Sequence, residues 1–571
     1  MDVGRGSDNL SEEDRDNYGG EMDFLMDEVS EYDPPEITLS ALAETGRDEP
    51  NIPVLRQRSY TGTRVIPSAL ADTPCANLGV HGVFEKLNTT LGTFYILSPL
   101  MSSVLESYIR RNSDFGTVYA HLRSYWFDFA TIEQRRCKDE ENDREMRRKA
   151  IVHNRITKRD MPPRRVWDLY ANRVVPYWVT PLTDWCAISH AWVSEEERMD
   201  VMTPINGYEW PVPMPNDANL DLIRIEMLNL GAGYVWLDVL CLRQEYAIRE
   251  EDQLKEALRK EEWKLDVPTI GYVYDTTQTV VCYLSGLGRP LSFKPGDFES
   301  DRCWFNRAWT LQEIPKGYHL VIGGETGDDK FINEEMLMRV HGQLELFYRM
   351  RCMVSTLCFL VQMRKRVSTK PLDKVAGLVY VFNTESIPIY NGAQSEEDAW
   401  TALVDVMAPP LRADLFFYYP EPGNGNVFWR PSWEQVMART LPWNEGLHDI
   451  GDVGRTESDW YEGVFIDSIY ICGLADPSKS PREGKLIKDC TRGFCACTIV
   501  AEHAYPIPNG RYTLIGPSRS RTGSGVIWVV GRLRQTDGKF EKVSVIGLAG
   551  GEDAEKLREL HVERCVKTDL C

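Results

Sequence analysis

LDLIRIEMLNL at residues 220–230, followed by YVWLDVL at residues 234–240, decides the fold class of this chain. The first run repeats apolar residues at helical spacing and stops at a glycine, whereas the second is rich in β-branched and aromatic residues. Similar β-rich runs lie at residues 185–189 and 279–285, and a second helical pattern covers residues 251–263. Strands that alternate with helices in this way predict an α/β domain with a parallel sheet.

The regions on either side of this pattern differ from it in composition. The first 50 residues contain 16 acidic and only 3 basic side chains, so residues 1–55 are predicted to be a disordered acidic tail. Helical spacing at residues 68–163 predicts a helical region that ends in a charged linker helix. The α/β pattern extends over residues 164–385. Short β-rich runs between turn residues then predict a β-rich, antiparallel C-terminal region at residues 386–571.

The overall composition argues against several classes of protein. The 571 residues carry 65 basic and 86 acidic side chains, and no apolar run is long enough to cross a bilayer. Because a broad basic surface is missing, nucleic acid is not an expected partner. The 14 cysteines lack the regular spacing of a disulfide scaffold, which favours reduced thiols and a cytoplasmic location.

One group of residues could suggest a metal site. Cys490, Cys495, Cys497 and His503 are close in sequence, but their spacing matches none of the paired zinc templates. We therefore predict no metal site.

Polar residues stand at the ends of the three predicted strands. Ser189 and His190 follow the first strand, Asp238 lies late in the second, and Ser285 ends the third. The carboxyl ends of parallel strands share one rim, where ligands of α/β folds bind. The two-residue alternation of a strand places Asp238 on the same face as Trp236, so its carboxylate is expected among aromatic rings.

A half-buried aspartate needs a partner, and the sequence offers several. Arg243, Arg302 and Arg307 are the candidates. The alternative interpretation is that Asp238 caps the next turn and has a structural role only.

A second group lies on a helix that is predicted at residues 307–314, with Asn306 as its cap. Trp309 and Glu313 are four residues apart and would share one helix face, where an indole plane beside a carboxylate could hold a flat ring near a reacting centre. The alternative is a core tryptophan and an ion-paired glutamate.

Five short segments stand out as motifs: ISHAW at residues 188–192, WLDVLCLRQ at 236–244, RAWTLQE at 307–313, DKVAGL at 373–378 and PSW at 431–433. The first four resemble the blocks of the fungal heterokaryon-incompatibility (HET) domain, and PSW resembles a motif often found after that domain. The resemblance covers about residues 164–385, with departures at His190, where tyrosine is usual, at Val193, where glycine is usual, and at Arg243, where asparagine is usual.

The resemblance implies a fold and an activity. HET domains are thought to be distant relatives of the TIR fold, in which helices surround a parallel sheet. Trp309, Leu311 and Glu313 match a TIR block whose glutamate is catalytic in TIR enzymes that cleave NAD. By this resemblance Glu313 would stabilise the cationic sugar that forms as nicotinamide leaves. Ser189, Asp238 and Trp309 would contact the ligand, and NAD would be the substrate rather than a bound cofactor.

The resemblance further implies a cytoplasmic protein that acts in non-self recognition and regulated cell death, as a homo-oligomer and with a protein partner. A rival interpretation makes the domain a non-enzymatic signalling and interaction module, in which Glu313 and Asp238 hold the fold. A third is a degenerate relic, which the altered opening block allows.

Overall fold

The computed structural model describes residues 33–571, except for the gaps given at the end of this paragraph. The strands are β1 Glu36–Ser40, β2 Ser59–Thr63, β3 Ile151–Val152, β4 Arg155–Ile156, β5 Arg165–Asp168, β6 Arg173–Pro176, β7 Trp185–His190, β8 Arg198–Val201, β9 Val212–Pro215, β10 Tyr234–Leu237, β11 Thr279–Tyr283, β12 Leu320–Ile322, β13 Ile387–Pro388, β14 Val453–Arg455, β15 Asp459–Cys472, β16 Arg482–Cys490, β17 Gly493–Ala501, β18 Gly510–Gly516, β19 Ile527–Leu533, β20 Phe540–Leu548 and β21 Cys565–Asp569. The helices are Ala41–Thr45, Ser68–Ala71, Cys75–Leu91, Pro99–Arg110, Phe115–Leu122, Ile132–Ala150, Leu220–Asn229, Asp238–Cys241, Gln253–Asp266, Ile270–Thr276, Glu334–Cys352, Thr356–Arg364, Leu372–Ala376, Glu396–Val406, Pro409–Tyr418 and Trp433–Ala438. The gaps are 128–130, 181–184, 246–252, 315–319, 328–329, 353–354, 443–449, 479, 491–492, 518–525, 551–552, 554–556 and 558–564.

The central sheet has six strands in the order β12-β11-β7-β10-β5-β6. The first four strands are parallel, as predicted, and β5 and β6 extend the sheet through two antiparallel pairings, β10–β5 and β5–β6. Every residue of β7 is buried, because helices cover both faces of the parallel part. β10 ends three residues earlier than predicted, since Oδ1 of Asp238 accepts the backbone N–H of Val239 at 2.8 Å and a short helix begins there.

Residues 33–66 are ordered, so the predicted disorder is wrong for the part of the tail at 33–55; residues 1–32 lie outside the described part of the chain. β1 and β2 form a hairpin that packs on the helix Leu220–Asn229. Two buried charges on that helix, Arg224 and Glu226, bind this part of the chain and account for its order. Gln57 donates to Glu226 at 2.7 Å, and Arg224 donates to the carbonyl of Ile66 at 2.7 Å. Average composition could not reveal that Gln57 and Ile66, just beyond the predicted tail, are partners of buried charges on this helix.

We expect Gln57→Leu to lower the free energy of unfolding by about 1–3 kcal/mol, because the buried carboxylate of Glu226 loses a hydrogen-bond donor. Urea denaturation of the full chain measures the change. Gln535→Leu, at an exposed turn position, is the matched control and should be close to neutral. Equal stability of the two variants would show that this hydrogen bond does not hold the N-terminal hairpin in place.

The helical region is present, and it is packed against the central domain rather than separated from it. The charged helix Ile132–Ala150 ends before residue 163, where the helical region was predicted to end, and a β3–β4 hairpin follows. That hairpin pairs with β13 from beyond the central domain. Arg147 is buried and donates to the carbonyl of Pro163 at 3.1 Å, so this helix is a packed element as well as a charged one.

The C-terminal region is β-rich, as predicted, but three helices between residues 396 and 438 precede its strands. β15 pairs with β16 along part of its length and with β18 along another part, which closes β15, β16, β17, β20, β19 and β18 into an antiparallel barrel. Apolar side chains such as Ile469, Leu486 and Leu514 fill its interior.

The described helices include none that is long and apolar enough to span a membrane.

Candidate functional site

A cavity of about 690 Å³ opens beyond the carboxyl ends of β7 and β10. Its volume lies in the range of small-molecule sites. Trp236, Asp238, Trp309 and Glu313 all line it, so Asp238 of the strand-end group shares one space with Trp309 and Glu313. Six aromatic side chains contribute to its wall: Trp192, Trp236, Trp263, Tyr274, Trp309 and Tyr390.

Glu313 reaches the cavity from a loop and not from the predicted helix. Only a single 3₁₀ turn, Trp309–Leu311, forms in this region. Asn306 does not cap a helix, because its side chain donates to the carbonyls of Phe298 and Ser300. The prediction of a helix at 307–314 is therefore wrong, since tertiary hydrogen bonds outweigh its weak local propensity. The spacing argument for Trp309 and Glu313 fails with it, although both side chains still line the cavity.

The carboxylate of Glu313 is held by Ser189, the penultimate residue of β7. Ser189 Oγ donates to Glu313 Oε2 at 2.5 Å, and Trp304 Nε1 donates to Ser189 Oγ at 2.7 Å. Ser189 is buried and does not line the cavity. Its hydroxyl therefore acts on a ligand through Glu313, rather than by the direct contact that was expected.

The surroundings of Glu313 change its acidity. Burial raises the pKa of Glu313, and the nearby carboxylate of Asp238 acts in the same direction. The hydrogen bond from Ser189 and the positive charge of Arg307 oppose the rise, with a smaller contribution from His190. A carboxylate in an aromatic cavity whose pKa is raised is a recognised feature of catalytic sites.

Asp238 is bound by a residue that was not among its expected partners. His190 Nε2 donates to Asp238 Oδ1 at 2.9 Å, and the backbone N–H of Val239 donates to the same oxygen. Of the expected partners, Arg243 pairs with Glu209 and Glu262 instead. Arg302 lines the cavity wall, and its Nη1 is 4.0 Å from Oε2 of Glu197.

Arg307 is the expected partner that does act on Asp238, through its charge. Burial by itself would raise the pKa of Asp238, but the charge and hydrogen bond of His190, the N–H of Val239 and the charge of Arg307 outweigh it and leave the pKa lowered. Arg307 Nη1 donates to the carbonyl oxygen of His190 at 3.0 Å. Glu313 and Asp238, which both line the cavity, therefore have pKa values that are shifted in opposite directions.

Trp309 presents its indole to the cavity and is held in place by Asp373. Tyr390 donates to Asp373 Oδ1 at 2.9 Å, and burial raises the pKa of Asp373. Asp373 is the first residue of the DKVAGL segment in the HET resemblance, but its role as the anchor of Trp309 is visible only in the structure.

Two further features were expected at this rim. Ser285 does not line the cavity; its hydroxyl donates to the carbonyl of Ser292 at 2.8 Å. The sequence also placed His190 at this rim, but it gave His190 no functional role. His190 ends β7, and Asp238 follows the neighbouring strand β10. This shared position at two strand ends is the signal that could have identified His190.

Within the part of the chain that the structure describes, no three His, Cys, Asp or Glu side chains are grouped to hold a metal ion. Comparison with known protein families, curated proteins and solved structures gives no match to this chain.

Proposed function

We propose that the central domain is a HET domain related to the TIR fold, and that it cleaves the N-glycosidic bond of NAD, with Glu313 as the key carboxylate. The single observation that supports this proposal most strongly is that Glu313, Asp238 and Trp309 line one aromatic cavity. The HET assignment itself rests on the sequence motifs. With it come the proposals of a cytoplasmic homo-oligomer that acts, with a protein partner, in fungal non-self recognition and regulated cell death.

The chemistry of the cavity suits this reaction. Loss of nicotinamide leaves positive charge on the ribose ring, and a fixed carboxylate in a water-poor site stabilises that charge. Glu313 supplies the carboxylate, and the hydrogen bond from Ser189 keeps it oriented. The indole of Trp309 supplies a flat apolar surface on which a nicotinamide or adenine ring can stack. The charge of Arg307 acts on both Glu313 and Asp238, and it limits the repulsion between them.

A second candidate function is a non-enzymatic signalling and interaction module. The observation that favours it is that both carboxylates have structural partners. Glu313 links its loop to β7 through Ser189, and Asp238 links β10 to β7 through His190. In this interpretation the cavity is a consequence of how the loops pack.

Incubation of the full chain with NAD, over a range of protein concentrations that allows association, distinguishes the two functions. Release of nicotinamide by the wild type that is lost in Glu313→Gln supports the enzyme. Glu335→Gln, an exposed glutamate outside the cavity, is the matched control and should keep wild-type turnover. If the folded wild type releases no nicotinamide at any concentration, the module is the correct interpretation.

The hydrogen bond from Ser189 predicts a specific pH effect. This bond lowers the pKa of Glu313, so Ser189→Ala should raise that pKa further. Glu313 must be ionised to stabilise a cation, and we therefore expect the acid limb of kcat/KM to move to higher pH in Ser189→Ala. The pH profile of nicotinamide release from about pH 4 to pH 8 measures the shift. Ser285→Ala is the control, and an unshifted limb in Ser189→Ala would show that Glu313 does not set it.

A further inference from the structure

We propose that Asp238 is a second functional carboxylate, which orients the attacking water and accepts its proton, and that His190 is the positioning residue that holds Asp238 for this task. This inference rests on the proposed function and adds to it the fate of the sugar. The product would be the hydrolysed ribose rather than a cyclised or transferred one.

The placement of the two residues follows from the sheet. β7 and β10 are parallel neighbours, and Ile188 is in register with Leu237. The residues that follow this pair, at the carboxyl ends of the two strands, therefore meet at the rim of the cavity. His190 is the last residue of β7 and is buried behind the cavity wall, whereas Asp238 stands in the wall itself.

The hydrogen bonds fix one oxygen of Asp238 and leave the other available. Oδ1 accepts from both His190 Nε2 and the N–H of Val239. Among the described residues no donor reaches Oδ2, and the side chain of Asp238 is 26% exposed, at the cavity it lines. A carboxylate that is fixed through one oxygen and open at the other is suited to hold a water molecule at a defined place.

His190 is oriented in its turn by its own neighbours. Its Nδ1 lies 3.3 Å from the carbonyl oxygen of Ala191, and its ring centroid is 5.5 Å from that of Trp192. Its backbone carbonyl accepts from Arg307. This is the arrangement of a residue that acts through another one, because the imidazole contacts Asp238 and does not line the cavity.

The step balances in atoms and charge. The bond between the ribose carbon and the nicotinamide nitrogen breaks, and its electron pair leaves with nicotinamide. The oxygen of water forms the new bond to the same carbon, and the water proton passes to the carboxylate of Asp238 and then to solvent. Glu313 remains ionised and stabilises the sugar cation throughout. The groups that face Asp238 are His190, Arg307, Glu313 and the phenol of Tyr274.

The test uses the full chain with NAD and three variants. Asp238→Asn removes the proton acceptor, and we expect kcat to fall by roughly 100-fold. His190→Phe removes the hydrogen bond but keeps a ring, and kcat should fall by about 10-fold or more with KM changed much less. His190→Gln can place an N–H donor near the same position and should restore most of kcat. A structural role alone would not produce this rescue at equal unfolding temperatures.

Controls and outcomes separate this inference from the proposed function. His341→Phe, at an exposed position on the helix Glu334–Cys352, should leave kcat unchanged. Wild-type kcat in folded Asp238→Asn and His190→Phe, with turnover lost only in Glu313→Gln, would overturn this inference and leave the proposed function intact. Failure of a folded His190→Gln to restore kcat would overturn the positioning role of His190. A folded wild type that releases no nicotinamide would overturn both proposals.

Discussion

In Glu313→Gln we expect turnover of NAD to fall by roughly 100-fold or more, while the protein unfolds at a temperature no lower than that of the wild type. The substitution removes the negative charge that stabilises the sugar cation and keeps the shape of the side chain. The amide oxygen of glutamine can still accept the hydrogen bond that Ser189 donates. Loss of activity would therefore not result from loss of the local structure.

The expected gain in stability follows from the pKa of Glu313. Its folded pKa is raised above the ordinary value of 4.5, chiefly by burial, so the ionised form destabilises the folded state. The stabilising contribution of the protonated acid is present below the unfolded pKa and is lost as the pH rises through the folded pKa. Glutamine stays neutral at every pH, so its advantage over glutamate should be largest near neutral pH and absent below about pH 4.

Thermal unfolding at several pH values, beside the nicotinamide assay, measures both parts of this prediction. Glu335→Gln is the matched control, because it removes an exposed glutamate and should change neither quantity. A large fall in the unfolding temperature of Glu313→Gln would show that the ionised carboxylate holds the fold. That result would favour the signalling module over the enzyme.

The second large effect is expected in the C-terminal barrel, where Lys542→Met should lower the free energy of unfolding by about 3 kcal/mol. Lys542 lies on β20 and is buried. Its Nζ donates to the carbonyls of Phe416 at 2.7 Å, Tyr419 at 2.6 Å and Leu415 at 3.3 Å. These carbonyls lie at the end of the helix Pro409–Tyr418, where backbone acceptors have no partner within the helix.

The ammonium group has three donors, and it matches the three carbonyls of this helix end. Methionine fills a similar volume but leaves the carbonyls buried without a donor, which is the costly way to break a hydrogen bond. Urea denaturation measures the loss. Lys485→Met, at an exposed position of the same barrel, should stay within about 0.5 kcal/mol of the wild type. Equal stability of the two variants would mean that Lys542 does not fasten the barrel to this helix.

The strands of the central sheet could be predicted from the sequence because their signal is local. β7, β10 and β11 each lie at a β-rich run, and the alternation that placed Trp236 and Asp238 on one face agrees with the cavity that both line. The structure of residues 307–314 could not be predicted from a local signal. The few apolar residues of this segment suit a helix or a loop equally. The backbone hydrogen bonds that join Asn306 and Ala308 to Val367 decide between them, and Val367 is distant in sequence.

The functional site shows the same division between residues with a local sequence signal and partners that are distant in sequence. The sequence pointed to Asp238, Trp309 and Glu313, because polar and aromatic residues at strand ends and in compact motifs stand out locally. The partners of these residues did not stand out. His190 is 48 positions from Asp238, and Ser189 is 124 positions from Glu313, so their pairing depends on the order of strands in the sheet.

By itself, the sequence of this protein determined the parallel strands β7, β10 and β11 of its central domain, the β-rich character of its C-terminal region and the residues worth examining. Periodicity of apolar residues carries that information, because burial of one face is a local requirement. Only the tertiary structure decided that residues 33–66 are ordered, that Glu313 is held by Ser189 and that Asp238 is held by His190. Buried charges and polar groups must find partners wherever the fold places them, and no local pattern specifies which partner that will be.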